Sequence, residues 1–299
     1  MLVVLSVVAP VFLCAAVGYG WSRGGGRYDR AVVTALISNI GAPCLVFRNL
    51  TGLAVDVGSM AEMAGAAAVS IGAFALIGTL ALRAWRLPTH TFLSPLVFAN
   101  AGNMGLAISK LAFPGEIGDV SPGLALGACY FAVASLLQFT VGVFFWSGRL
   151  APGDLARTPL VWSVVCAIVV LASGLRLPGW VLETTGLLGD LSIPLMLLTL
   201  GVSLAELSIS DIWRSVGLAV LRIGMGIAVG LTVAWALGLV GPARGVLVLQ
   251  CSMPPAVFNV LFAEQYGRSP TQVASLVVVA TLISVVTLPL VLALFVLDG

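Results

Sequence analysis

Two amide-bearing clusters interrupt apolar runs in this chain. In the run 246–263 the cluster holds Gln250, Pro254, Pro255 and Asn259; in the run 93–112 it holds Asn100, Asn103 and Gly105. A side-chain amide both donates and accepts, so each cluster can hydrogen-bond a polar ligand. Pro254 and Pro255 remove two N–H groups and strand the carbonyls that would have bonded them, which a helix in pure lipid does not tolerate. Broken backbone at membrane depth survives where protein buries it or where it lines a cavity. A half-helix restarting after such a break presents free N–H groups and a partial positive charge, which suits a carboxylate. The seven residues are therefore candidates for binding a small organic anion. The plainer alternatives are a continuous first helix, with glycines at a close contact and asparagines bonding between helices, and a second helix merely kinked and repaired by Ser252.

Charge enters the apolar runs at few places. Asp190 and Asn39 each stand four residues before a proline, Pro194 and Pro43. They are candidates for carrying a proton or a coupling cation, since a desolvated carboxylate is costly and usually functional. The alternative for Asp190 is interfacial water. Arg222 lies deep in the run 213–238 and can pair with a carbonyl at the second break, with Asp190, or with an anionic substrate. A tilted helix carrying it to the interface is the competing reading. Lys110 and Arg48 read as residues reaching the outer interface.

The elements that must position these groups are spanning helices. Hydrophobic residues make up 60% of the chain and charged residues 9%. A span needs about 20 apolar residues, and ten runs qualify: 2–20, 31–50, 59–83, 92–112, 122–146, 159–175, 180–204, 213–238, 243–265 and 270–296. The first lacks a basic leader and a small-residue cleavage site, so it reads as a span and not as a removed signal. The loops are short and leave no separate soluble domain.

Composition also excludes chemistry. A net charge of +2 supports no nucleic-acid partner. The five cysteines lie inside apolar runs and the single histidine, His90, in a loop, so neither a metal nor a cofactor is expected. With one candidate membrane aspartate and no paired base, an intramembrane protease is not supported, and the chain does not read as an enzyme. Six tryptophans, Trp21, Trp85, Trp146, Trp162, Trp180 and Trp213, fall near run ends as an interfacial belt would.

Basic residues set the expected orientation. Arg23, Arg27, Arg30, Arg83, Arg86, Arg149, Arg157, Arg214 and Arg268 follow odd-numbered runs, against Arg48, Lys110, Arg176 and Arg244 on the other side. Odd loops are thus cytoplasmic, and both termini lie outside. The Asn39–Pro43 and Asp190–Pro194 spacings recur about half a chain apart, and the same offset lays Asn103 on Pro254. Five spans per half is odd, so the second half, 151–299, is expected to be an inverted copy of the first, 1–150.

Taken together, the residues resemble the auxin efflux carrier family, which includes plant auxin exporters and bacterial malate-type permeases. Gln250-x-x-Met-Pro254, Phe262-Ala-Glu-Gln-Tyr-Gly267 and Ala274-Ser275 resemble the region of its ninth helix. Asn100-x4-Gly105 with Leu111-x-Phe-x-Gly115 is similar to its fourth. Asn39-Ile-Gly-Ala-Pro43, Asp190-Leu-Ser-Ile-Pro-Leu, Leu200-Gly-Val-Ser-Leu204 and Leu221-Arg222 resemble its second, seventh and eighth. Ala107 and Asn259 depart, standing where plant relatives tend to carry prolines.

The resemblance implies an all-α polytopic membrane protein: ten transmembrane helices, an inverted 5+5 repeat, and broken helices four and nine that cross, as in bile-acid/sodium symporters. Helices one, two, six and seven would form a scaffold, the surface of a homodimer; helices three to five and eight to ten would move as an elevator. Asn100 would hold the substrate carboxylate, and Pro254 would be a crossover proline. The expected activity is secondary transport of a small organic anion. The alternatives are a sodium-coupled organic anion symporter and a receptor or sensor on a transporter fold.

Overall fold

The computed structural model describes residues 2–51, 56–115, 121–148, 159–175, 177–206 and 210–296, and each named element among them is a helix. In chain order these are α1 (Leu2–Arg23), α2 (Arg30–Thr51), α3 (Val57–Ala84), α4 (Thr89–Val97), a widened turn (Ala101–Leu106) leading into α5 (Ala107–Ala112), and α6 (Pro122–Ser147). Next come α7 (Pro159–Ser173), α8 (Gly179–Glu206), α9 (Ile212–Ala236), α10 (Gly241–Cys251), α11 (Phe258–Gln265) and α12 (Pro270–Val296). Among the described residues six helices, α2, α3, α6, α8, α9 and α12, are long and apolar enough to cross a membrane, and α7 is a shorter apolar helix. The chain is an all-α membrane protein. The runs expected at 92–112 and 243–265 are each split in two, as α4–α5 and α10–α11. Arg149, Arg157 and Arg176, used above for orientation, and the 150/151 boundary lie outside the described residues.

Local chemistry explains the ends. Asp29, Asp56 and Asp211 each accept a backbone N–H from the first turn of α2, α3 and α9. Ser121 does the same for α6, with Pro122 in the first turn, where its missing N–H costs nothing. Pro43 removes the bond that would return to the Asn39 carbonyl, and α2 widens over Ile37–Gly41 immediately before it. In α8 the helical pattern is likewise interrupted at Leu191, just before Pro194.

Small residues set the packing, as they must where lipid competes equally for apolar surface. A Cβ on Gly201 would run into the Ala15 carbonyl, and one on Gly18 into the Leu198 carbonyl, so α1 and α8 touch backbone to backbone. Gly41 leaves room for Ser192, and Gly189 for Leu45, where α2 and α8 cross. Arg30 and Glu206 add an ion pair at 2.9 Å between the same helices. Of the tryptophans expected at the interface, Trp21, Trp85, Trp162, Trp180 and Trp213 are exposed. Trp146 is a correction: it is buried among Val143, Phe262, Ala263 and Val273. Its position at a helix end is covered by α11 and α12.

The α1–α8 contact can be tested directly. Gly201→Ala is expected to destabilise the protein by about 1–3 kcal/mol through overpacking. Gly65→Ala, in α3 with open space at its Cβ, should be neutral or gain up to about 1 kcal/mol from helix propensity. Thermal unfolding of the purified protein in detergent reads both; equal midpoints would contradict the close approach.

Candidate functional site

The two breaks meet. Between α4 and the widened turn, Phe98 and Asn100 leave helical geometry, with φ/ψ of −96/105° and −76/56°. Between α10 and α11 the chain runs non-helically through Met253–Ala256. The segments pair antiparallel, Ala99 opposite Pro255. The Asn100 N–H donates to the Pro254 carbonyl at 2.7 Å, and the Ala256 N–H to the Phe98 carbonyl at 3.1 Å. Asn259 reinforces the crossing: its amide donates to the carbonyls of Phe98 (3.2 Å) and Ala256 (2.9 Å) and accepts from Ser94 Oγ at 2.9 Å.

Several site residues take different roles from those expected. The first break opens at 98–100, ahead of the Gly102–Gly105 stretch, and the Pro254 carbonyl takes the Asn100 N–H. The glycines serve close approach: a Cβ on Gly102 would press on the Phe131 ring, and one on Gly105 on the Gln250 amide. Neither has positive φ. Gln250 is buried, is not part of the lining of the cavity beside the crossing, and reaches Ser109 Oγ at 3.5 Å. Asn259 is fully engaged in holding the crossing together.

Beside the crossing lies a cavity of about 90 Å³, roomy enough for water-sized groups. Its polar lining includes Asn100, Asn103, Gln138, Ser38, Ser135 and Thr199; Phe131, Phe139, Phe258 and Met196 close it with apolar surface. Asn100 Nδ2 and Gln138 Nε2 are buried with no acceptor. Gln138, at the start of a widened turn Gln138–Gly142 in α6, is the residue missed from sequence. Its signal was there: an amide inside the apolar run 122–146.

Arg222 lies below the second break, completely buried. Pro255 has no N–H for the Cys251 carbonyl, and Arg222 Nη1 supplies the donor at 2.9 Å. Gly226 makes room for that carbonyl. The guanidinium stacks over Phe74, 4.6 Å from the ring centre. Of the three partners considered for Arg222, the break carbonyl is the one observed. Ser252 Oγ bonds the Val248 carbonyl at 2.7 Å and closes the end of α10.

Asp190 and Asn39 are not brought to this cavity. Asn39 is exposed and its amide returns to the Ala35 carbonyl of its own helix. Asp190, with 71% of its side chain exposed, faces Lys110 Nζ at 3.9 Å. With Arg48 and Glu183 these two line a separate cavity of about 660 Å³. Among the described residues no three His, Cys, Asp or Glu side chains are grouped to hold a metal ion.

The clamp makes a prediction. Asn259→Ala leaves Ser94 Oγ without its acceptor and loosens the crossing, at a cost of about 2–3 kcal/mol. Thermal unfolding of the variant in detergent measures it; an unchanged midpoint would contradict a clamping role.

Comparison with known proteins points to membrane transporters. The model of a family described as membrane transport protein matches residues 147–292, which include Arg222, Pro254 and Asn259. An uncharacterized transporter of Methanocaldococcus jannaschii is 25% identical over 162 residues, covering 52% of this chain and 52% of the relative, so this match spans about half of each. An uncharacterized transporter of Methanothermobacter thermautotrophicus is 22% identical over 289 residues, or 89% of each chain. Over residues 147–292, just under half of its length, the chain is thus similar to the membrane transport protein family, in keeping with the resemblance of its motifs to the auxin efflux carriers.

Proposed function

We propose that this protein is a secondary transporter that moves a small organic anion, with the carboxylate held at the crossing. One observation carries the reading. Asn100 Nδ2 and Gln138 Nε2 are buried donors without acceptors, and both residues line the crossing cavity. A carboxylate brings acceptor oxygens only, and its bonds to N–H donors are charge-assisted. The carbonyls freed by the breaks point the other way: Phe98, Pro254 and Cys251 already accept from protein donors. The crossing therefore has unpaired donors left over while its break carbonyls are already taken, which favours an anion over a cation. The apolar walls sharpen selectivity, because a ligand lacking acceptors strands buried N–H groups.

Alternating access follows from how the helices are grouped. In this reading α1, α2, α7 and α8 form a scaffold, and α3–α6 with α9–α12 form a moving unit. The packing supports it: α1 lies on α8 and α2 on α7 and α8, while α3 packs on α6 and α9, and α9 on α10 and α12. The crossing cavity lies between the groups, with Ser38, Leu160 and Thr199 on one side and Asn100, Gln138 and Phe258 on the other. Rigid-body movement of one group against the other would carry the bound anion. The ten-span count, the inverted repeat, outward termini and a homodimer joined through the scaffold belong to the same proposal.

Flux into proteoliposomes across a panel of small carboxylates tests it. Saturable flux is expected for at least one of them. Asn100→Ala and Gln138→Ala should each weaken its apparent affinity about 10–100-fold, the value of one charge-assisted hydrogen bond. Neither flux nor saturable binding for any small anion would sink the proposal.

A further inference from the structure

Arg222 is the one Asp, Glu, Lys or Arg side chain buried among the described residues, and carboxylate binding by Asn100 and Gln138 makes no use of it. Its surroundings are unusual for a purely structural arginine. One nitrogen bonds the Cys251 carbonyl, the ring of Phe74 covers the guanidinium, and Nε and Nη2 have no acceptor. The ion pairs among the described residues join other side chains. A charge without an anionic partner in an apolar interior is costly, and a neutral donor would cap one carbonyl equally well. The charge itself must therefore be what the position requires.

The place it occupies says what that requirement is. In carriers built on broken helices, the C-terminal ends of half-helices and their unwound carbonyls hold the coupling cation. Cys251 is the last residue of α10, and its carbonyl is the one stranded by Pro255. A guanidinium stands where such a cation would bind. The neighbouring break carbonyls of Phe98 and Pro254 are taken by Ala256, Asn259 and Asn100. We infer that Arg222 is a resident cation at the second break, replacing an exchangeable alkali ion. The carrier then works without sodium or potassium, and the positive charge at the second break is permanent. This inference rests on the transporter reading above for its meaning, but not for its test.

The test is thermal unfolding of the full chain in detergent, in sodium, potassium or choline chloride at equal ionic strength. The natural protein should unfold at the same temperature in all three. Arg222→Met removes the charge but keeps the bulk; it should be stabilised by a few degrees by millimolar guanidinium or sodium relative to choline. Saturable stabilisation of the natural protein by one alkali ion would overturn the inference. So would an Arg222→Met protein that ignores guanidinium and sodium alike. If that variant does not fold, the natural protein's response to the three salts decides. Carboxylate flux in proteoliposomes separates the two proposals. Equal flux in sodium and choline media supports the resident cation, and flux that requires sodium overturns it while leaving the transporter reading intact. No flux in any medium overturns the transporter reading, and the unfolding data still report on Arg222.

Discussion

Asn100 gives its backbone N–H to the Pro254 carbonyl, and Ala256 gives one back to Phe98. These two bonds let two helices stop and restart inside an apolar core. An unpaired peptide group there costs several kcal/mol, so neither break is tolerable alone. Each supplies what the other lacks. The prolines remove donors on one strand, and the pairing uses the carbonyl and N–H groups that remain. Asn259 adds a third link across the same gap.

The polarity of the site follows from that exchange. Backbone carbonyls exposed by the breaks find donors within the protein, one of them the guanidinium of Arg222. Side-chain amide donors of Asn100 and Gln138 are left over at the cavity wall. The crossing thus offers unpaired N–H donors without an exposed cation in the cavity lining. Lys110 and Arg48, the more obvious anion-attracting residues, line a different cavity beside Glu183 and Asp190.

The helices were legible because apolar runs and polar loops differ sharply in composition. Expected runs such as 122–146 and 270–296 match α6 and α12 to within a residue. The second break was legible from Pro254 and Pro255, whose missing N–H groups are a local cause. The first was misplaced because its cause is tertiary: no residue at 98–100 forbids a helix, and the chain opens there to pair with Pro254. Gly105 was counted with the binding cluster, yet it and Gly102 serve close contact, admitting Gln250 and Phe131; the close-contact reading of the glycines holds although the helix is broken just before them. Asp190 misled for a related reason, since position along a run does not tell which way a side chain faces. Gln138 was passed over because a single amide in a strongly apolar run carries no pattern around it.

The central claim is that the crossing presents donors to an acceptor-only ligand. Calorimetric titration of the purified protein with a carboxylate and with the primary amide of the same skeleton tests it most directly. The geometry predicts that the carboxylate binds at least about tenfold more tightly, the worth of roughly 1.4 kcal/mol. Equal affinity for the amide, or tighter binding of a cationic amine of the same skeleton, would contradict it.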